Sequence, residues 1–440
     1  MSRRETPIEG TLTSPRGAQD PGSQLLSILR DDISPMGEDG GSRILIYSHD
    51  TYGLGHFRRC LKIAREVRSQ SQDASVLLLT GSPLAHQFAI PNGVDFVKLP
   101  SVIKTGNEDY RPRSLNMSIH DLVAMRSRLI RETARSFHPD VVLIDHAPLG
   151  LRNEVLPALE SLREQSTRPA MILGLRDIID EPDRVISSWR ESHIYEAIDR
   201  FFDRIIVYGQ SSTYDTCAEY QFPESLRAKT SYSGFISGSN PELDQCLPTM
   251  RRKRPMVLVT VGGGEDGGQI IDTFIAMIRR HIDEIGFDSV VLPGPLLSES
   301  RVNEIRRASE GLPVQVHHFV ADVTTLLAES DLVISMGGYN AVAEILAHAH
   351  RALLIPREWP RQEQFLRAQR MTTLGYTDML RMKYLNAESL WSQVISAMSK
   401  TDSPVARMRE NDSGSLTGAA HVATTLLQSI RQKQNKESSK

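Results

Sequence analysis

Ser330–Ile345 reads SDLVISMGGYNAVAEI, and Ala352–Gln364 reads ALLIPREWPRQEQ. The apolar run Leu332–Ile334 predicts a strand that feeds into Ser335-Met336-Gly337-Gly338, with a helix opening near Asn340. A second strand, Ala352–Ile355, leads to Pro356 and a polar turn containing Arg361, Glu363 and Gln364. Glycines between a strand and a helix let backbone N–H groups approach an anion, and the helix dipole favours negative charge there. Glu344 falls about one turn into that helix, where a carboxylate can accept two hydrogen bonds from a sugar diol. The segment reads as a diphosphate-and-ribose cradle.

Outward from this motif, short β-branched and Leu-rich runs alternate with helical patterns, which predicts parallel sheets with crossover helices. In the C-terminal half, further strands are expected at Met256–Val261, Ser289–Leu292 and Val314–Val316. Helices are expected around Ile270–Arg280, Arg301–Ala308 and Asn340–His348. The N-terminal half has the same rhythm. Its strands are Ile44–Tyr47, Val76–Leu79, Asp95–Leu99, Val141–Ile144, Ala170–Leu173, Arg204–Val207 and a last one, Ser231–Ile236. Its main helices are Phe57–Arg68, Ile119–Phe137 and Asn153–Leu162. The fold class is therefore α/β, with two doubly wound Rossmann-like domains at 42–236 and 255–402 joined by a linker at 237–254. Two such domains facing each other leave a cleft at the carboxyl ends of both sheets. Residues 1–41, rich in Ser, Pro, Gly, Arg and Asp, read as a disordered leader, and the tail from Arg431 is similarly polar.

Ser335–Gln364 resembles the donor-nucleotide signature of family 28-type glycosyltransferases. The best-known member adds N-acetylglucosamine to the lipid-linked precursor of peptidoglycan, and the plant galactolipid synthases are relatives. The resemblance implies the glycosyltransferase-B fold, with the helical pattern His421–Ile430 in the segment 403–440 crossing back onto the first domain. It assigns the nucleotide-sugar donor to the second domain, through Ser335, Gly337, Gly338 and Asn340 at the glycine turn. Glu344 would hold the nucleotide ribose, and Glu363 and Gln364 the donor sugar. The implied reaction moves a hexose or N-acetylhexosamine from a UDP-sugar to an acceptor hydroxyl, with inversion at the anomeric carbon and no cofactor.

Other loops would meet in the same cleft. The first strand ends in Ser48-His49-Asp50-Thr51-Tyr52-Gly53-Leu54-Gly55-His56. A dinucleotide fingerprint fails there because Arg58 occupies the third glycine position. In the resembled family a Gly-rich loop ending in histidine lies beside the acceptor; Gly53, Gly55 and His56 match it. Glycosyl transfer requires the acceptor hydroxyl to lose its proton, and a histidine or carboxylate with a suitable pKa takes it. His56 is the first candidate, with Asp50 on the same turn and Asp145, in Asp145-His146 after a strand, as alternatives. The ordinary reading of such a histidine is structural, and of such an aspartate a turn former.

The second domain opens on Val261-Gly262-Gly263-Gly264-Glu265-Asp266, where amides of Gly262, Gly263 and Gly264 can line an anion site. Glu265 and Asp266 depart from the family pattern, since carboxylates repel a diphosphate. Arg176-Asp177 would border the cleft. Arg111, Arg113 and the Arg-rich helix Arg126–Arg135 lie on the acceptor domain; a solvated face explains the helix, and the sharper reading is attraction to anionic lipid headgroups or a phosphorylated acceptor. His317-His318, His348 and His350 bring no ligand set, and no Asp-x-Asp pair ends a strand. No metal is therefore expected, and charge on the leaving diphosphate would fall to amides and helix N-termini.

Composition agrees. At 440 residues the chain accommodates two cores, and Lys+Arg 51 against Asp+Glu 54 gives no basic field for nucleic acid. Cys60, Cys217 and Cys246 are too far apart for a disulfide framework or metal spacing. No apolar run reaches the roughly 18 residues of a spanning helix, and no secretory signal opens the chain. A cytoplasmic protein is expected, with peripheral contact at the inner face of the membrane as a further partner; the sequence leaves oligomeric state open. Two other readings share these features: a nucleotide-sugar epimerase on the same fold, and a non-catalytic nucleotide-sugar-binding module. The P-loop pattern does not occur.

Overall fold

The computed structural model describes residues 41–49, 55–104, 110–238, 254–263, 266–318, 320, 323–411 and 413–438. The leader 1–40, most of the linker (239–253), Asp50, Gly53, Gly264 and Glu265 lie outside the described residues.

Among the described residues, nine strands fall in the N-terminal half: Arg43–Ser48 (β1), Ser75–Thr80 (β2), Val94–Lys98 (β3), Val102–Lys104 (β4), Tyr110–Pro112 (β5), Val141–Asp145 (β6), Ala170–Arg176 (β7), Arg204–Tyr208 (β8) and Thr230–Tyr232 (β9). Seven of them form a parallel sheet in the order β3-β2-β1-β6-β7-β8-β9. The order reverses between β1 and β6, so a crevice opens outside their carboxyl ends. The second half supplies Met256–Thr260 (β10), Asp288–Leu292 (β11), Val314–Val316 (β12), Leu332–Ser335 (β13), Ala352–Leu354 (β14) and Asp378–Met379 (β15). They form a second parallel sheet ordered β12-β11-β10-β13-β14-β15, whose switch point lies between β10 and β13.

These strands are continuous apolar runs because helices cover both faces. Ile44 to Tyr47, Val141 to Ile144 and Val257 to Val259 are at most 2 % exposed. One apolar cluster runs across both sheets, joining Phe57 and Ile63 of the first half to Tyr339, Val342 and Leu426. The helix Gly418–Ser438 packs on the helix Gly55–Gln70 of the first lobe, as the resemblance implied. Ile236 bridges Thr417 at that crossing instead of extending β9, which is shorter than the expected Ser231–Ile236.

Two further expectations need correction, and two features escape a sequence reading. The antiparallel hairpin β4–β5 and the two-residue β15 carry too little pattern to be read. Glu363 and Gln364 are not in a turn; they open the helix Glu363–Thr373. Arg126, assigned to a solvated face, is fully buried and pairs with Glu154 through Nε–Oε2 at 2.6 Å. Leu122, Arg126, Ile130 and Ala134 form the buried stripe of their helix. Tyr47 donates its hydroxyl to the same carboxylate at 2.6 Å.

Candidate active site

A cavity of about 310 Å³ lies where the carboxyl ends of the two sheets meet. From the first lobe it is lined by Gly55 and His56, which follow β1, and by Arg176, the last residue of β7. From the second lobe come Thr260–Gly263 after β10, and Ser335, Met336 and Gly338 after β13.

His56 sits in the first turn of the helix Gly55–Gln70, whose buried face, Phe57, Cys60, Leu61 and Ala64, fixes the helix on the sheet. Its Nδ1 lies 2.6 Å from Oδ2 of Asp145, the last residue of β6. Arg59 donates Nε to Oδ1 of Asp145 at 3.0 Å and Nη2 to Oδ2 at 2.7 Å. Burial pushes the Asp145 carboxyl up, but Arg59 and the hydrogen bond from His56 outweigh it and hold it well below the usual range. An ionised carboxylate only accepts, so His56 carries its proton on Nδ1. The 2.9 Å approach of Arg59 Nη2 to the same nitrogen is then a close contact, not a hydrogen bond. Burial pulls the His56 pKa down to about 4, despite the opposing pull of Asp145. At neutral pH the ring is uncharged, and its Nε2 keeps a lone pair. Asp145 is thus no turn former: it is fully buried and serves the histidine.

Two more rings stand nearby, His49 with its centroid 5.7 Å from His56, and His146 at 5.2 Å. Burial lowers the pKa of both. For His146 the Arg176 charge adds to this. Arg176 points Nη2 at His146 Nε2, 2.9 Å away, and pairs across the cleft with Glu363 at 2.7 Å.

On the opposite wall, Gly337 adopts φ +79° and Gly262 φ +67°, backbone that favours glycine. The helix Tyr339–His348 begins at Gly338 with no side chain capping it, so its first N–H groups are open to a ligand. The hydroxyl of Ser335 is buried and has no hydrogen-bond partner among the described residues. Ser335 lines the cavity, so its hydroxyl is placed to donate to or accept from a bound group. Asn340 donates Nδ2 to the Gly55 carbonyl at 2.8 Å. A Cβ on Gly55 would stand 2.8 Å from that nitrogen, so a side chain there would make the Asn340 amide shift. Asp266 is paired with Arg357, so its charge is met within the protein. Gln364 lines the cavity and accepts from the Arg357 amide at 3.2 Å.

Glu344 is not free. Its Oε1 accepts from Arg58 Nη2 at 2.8 Å and Lys62 Nζ at 3.0 Å, both from the first lobe. Burial raises its pKa, and these two cations more than offset that, keeping it ionised. Arg367, fully buried, pairs with Asp177 at 2.8 Å across the same boundary. The guanidinium carbons of Arg59 and Arg367 both lie over the Tyr339 ring, 5.2 and 5.6 Å from its centre. Sequence reading missed these cross-lobe contacts. Their only trace was Arg58 standing where a glycine was sought, and Arg176-Asp177 after a strand.

Among the described residues no group of three or more His, Cys, Asp or Glu is placed to hold a metal ion. None of their helices is long and apolar enough to cross a membrane.

Residues 256–426 match the glycosyltransferase family 28 C-terminal domain. The chain is 19 % identical to the UDP-N-acetylglucosamine–N-acetylmuramyl-(pentapeptide) pyrophosphoryl-undecaprenol N-acetylglucosamine transferase of Finegoldia magna, over 78 % of this chain and 87 % of that protein. It is 22 % identical to the enzyme of the same name from Alkaliphilus oremlandii, over 76 % and 85 %. The crystal structure of MurG from Acinetobacter baumannii superposes with a TM-score of 0.56 at 11 % identity, covering 88 % of this chain and 99 % of that one. Two parallel sheets facing across a cleft, a match of residues 256–426 to the family 28 C-terminal domain and relatives spanning most of the length show a glycosyltransferase with the GT-B fold, similar to the family 28 enzymes.

Proposed function

We propose that this glycosyltransferase takes a hexose or N-acetylhexosamine from a nucleotide diphosphate sugar, a UDP-sugar, and places it on an acceptor hydroxyl with inversion. One observation carries the reading. The cavity has a neutral histidine backed by a carboxylate on one wall and an uncapped helix N-terminus on the other. UDP as the nucleotude's identity is supported by the substrates named for the relatives.

In this reading the diphosphate lies against the amides at Gly337–Asn340 and Gly262–Gly263, with Ser335 as a further partner, and Gln364 on the sugar. The acceptor enters from the side of Gly55 and His56. Its oxygen forms the bond to the anomeric carbon as the bond to the diphosphate oxygen breaks. His56 Nε2 takes the hydroxyl proton, and Asp145 stabilises the imidazolium that forms. UDP departs with the bonding pair, its charge met by amides and by Arg58 and Arg357. No cofactor takes part, and turnover is expected to persist in a chelator. The exposed Arg111 and Arg113 of the β4–β5 hairpin support peripheral contact with anionic headgroups, a role no longer open to Arg126.

The test is a screen of nucleotide sugars for thermal stabilisation. A ligand at a hundred times its dissociation constant adds about 2.7 kcal/mol. UDP release is then measured with and without candidate acceptors. Release that requires acceptor supports transfer; conversion of the UDP-sugar alone marks an epimerase, and binding without turnover a binding module.

A further inference from the structure

Arg58 and Lys62 stand one helical turn apart on the helix Gly55–Gln70 of the first lobe, and both reach Oε1 of Glu344 in the second. Among the described residues no hydrogen bond reaches Oε2. The Glu344 side chain is 4 % exposed, so without cations it would be a buried, unpaired carboxylate. Such a group protonates or turns away to water, and no longer holds an ionised oxygen ready to accept from a hydroxyl.

We infer that Arg58 and Lys62 are positioning residues of the donor site, fixing one oxygen of Glu344 so that the other is presented to the ribose hydroxyls. The inference rests on the donor reading above and goes beyond it. Ribose recognition then belongs to both lobes, since the carboxylate is competent only while the first lobe's helix holds it. Two cations against one carboxylate also leave a surplus positive charge beside the cavity, which suits a nucleoside diphosphate better than a nucleoside.

The experiment is calorimetric titration of the full chain with UDP and with 2′-deoxy-UDP. Three proteins are compared: wild type, Arg58→Ala/Lys62→Ala, and the charge-keeping Arg58→Lys/Lys62→Arg. A hydrogen bond to a charged group predicts a wild-type preference for UDP of about tenfold or more. The double alanine variant is expected to lose that preference and the charge-keeping variant to retain it. Should the double alanine variant not fold, as judged by circular dichroism, the two single alanine variants are read in the same way, each with a reduced preference. A preference that survives removal of the cations overturns the inference and leaves the donor reading standing. Wild-type protein that binds neither nucleotide overturns both. Equal wild-type binding of the two removes Glu344 from ribose recognition, and the positioning role with it.

Discussion

His56 and Asp145 are 89 residues apart in the chain, yet Nδ1 of one lies 2.6 Å from Oδ2 of the other. The contact forms because β1 and β6 are neighbours in the sheet, and each ends at the cleft. It fixes the tautomer of the ring. Asp145→Asn replaces an acceptor-only group with one that can donate, which releases Nδ1 from its protonated state. Turnover is expected to fall by about 10²–10⁴-fold while UDP affinity, measured by calorimetry, stays unchanged. His56→Ala should behave alike; unchanged turnover there would move the base role to Asp50 or another group.

The low pKa of His56 sets a pH signature. A base with a pKa of about 4 is ready at neutral pH, so kcat/KM should be level there and fall only as pH drops toward 4. Stability follows the same sign. His49, His56 and His146 all titrate below their ordinary value in the folded chain. The unfolded chain therefore binds more protons below about pH 6.5. The melting temperature should be highest above that pH and decline as pH falls. A melting temperature that rises on acidification would contradict it.

What the sequence made legible was local. Glycine turns after apolar runs are written in consecutive residues, and most strands of the two sheets fall within a residue or two of their expected limits; β7 runs on to Arg176, β9 stops at Tyr232, and β15 was not expected. The cross-lobe pairs were not legible because their partners are remote: Arg58 and Glu344 are 286 residues apart, and Arg367 and Asp177 190. The helix Glu363–Thr373 escaped notice because charged residues, Glu363 and Arg367, occupy its buried face beside Ala368 and Met371. Arg126 was readable in principle, since it falls on the stripe Leu122, Ile130 and Ala134.

The buried Arg367–Asp177 pair gives a stability prediction. Arg367→Ala leaves Asp177, 1 % exposed, without its cation. Loss of one partner from such a pair costs about 3–5 kcal/mol. The variant should show a clearly lower melting temperature, whereas Arg301→Ala, whose pairs with Asp272 and Glu304 are exposed, should change little.

Gly294 has φ +94°, and a Cβ there would stand 2.4 Å from the Gly262 carbonyl oxygen. Gly294→Ala must therefore displace the Gly262–Gly263 turn. UDP affinity is expected to drop about tenfold or more, the worth of a hydrogen bond to a charged group, while circular dichroism stays that of the wild type. Unaltered affinity would take this turn out of donor binding.

The most direct measurement is a crystal structure of the chain with UDP. The account predicts uracil and ribose in the cavity between the sheets, the ribose hydroxyls on Glu344, and the diphosphate against the amides at Gly337–Asn340. UDP bound away from this cavity, or a cleft that stays closed to it at saturating concentration, would contradict the account.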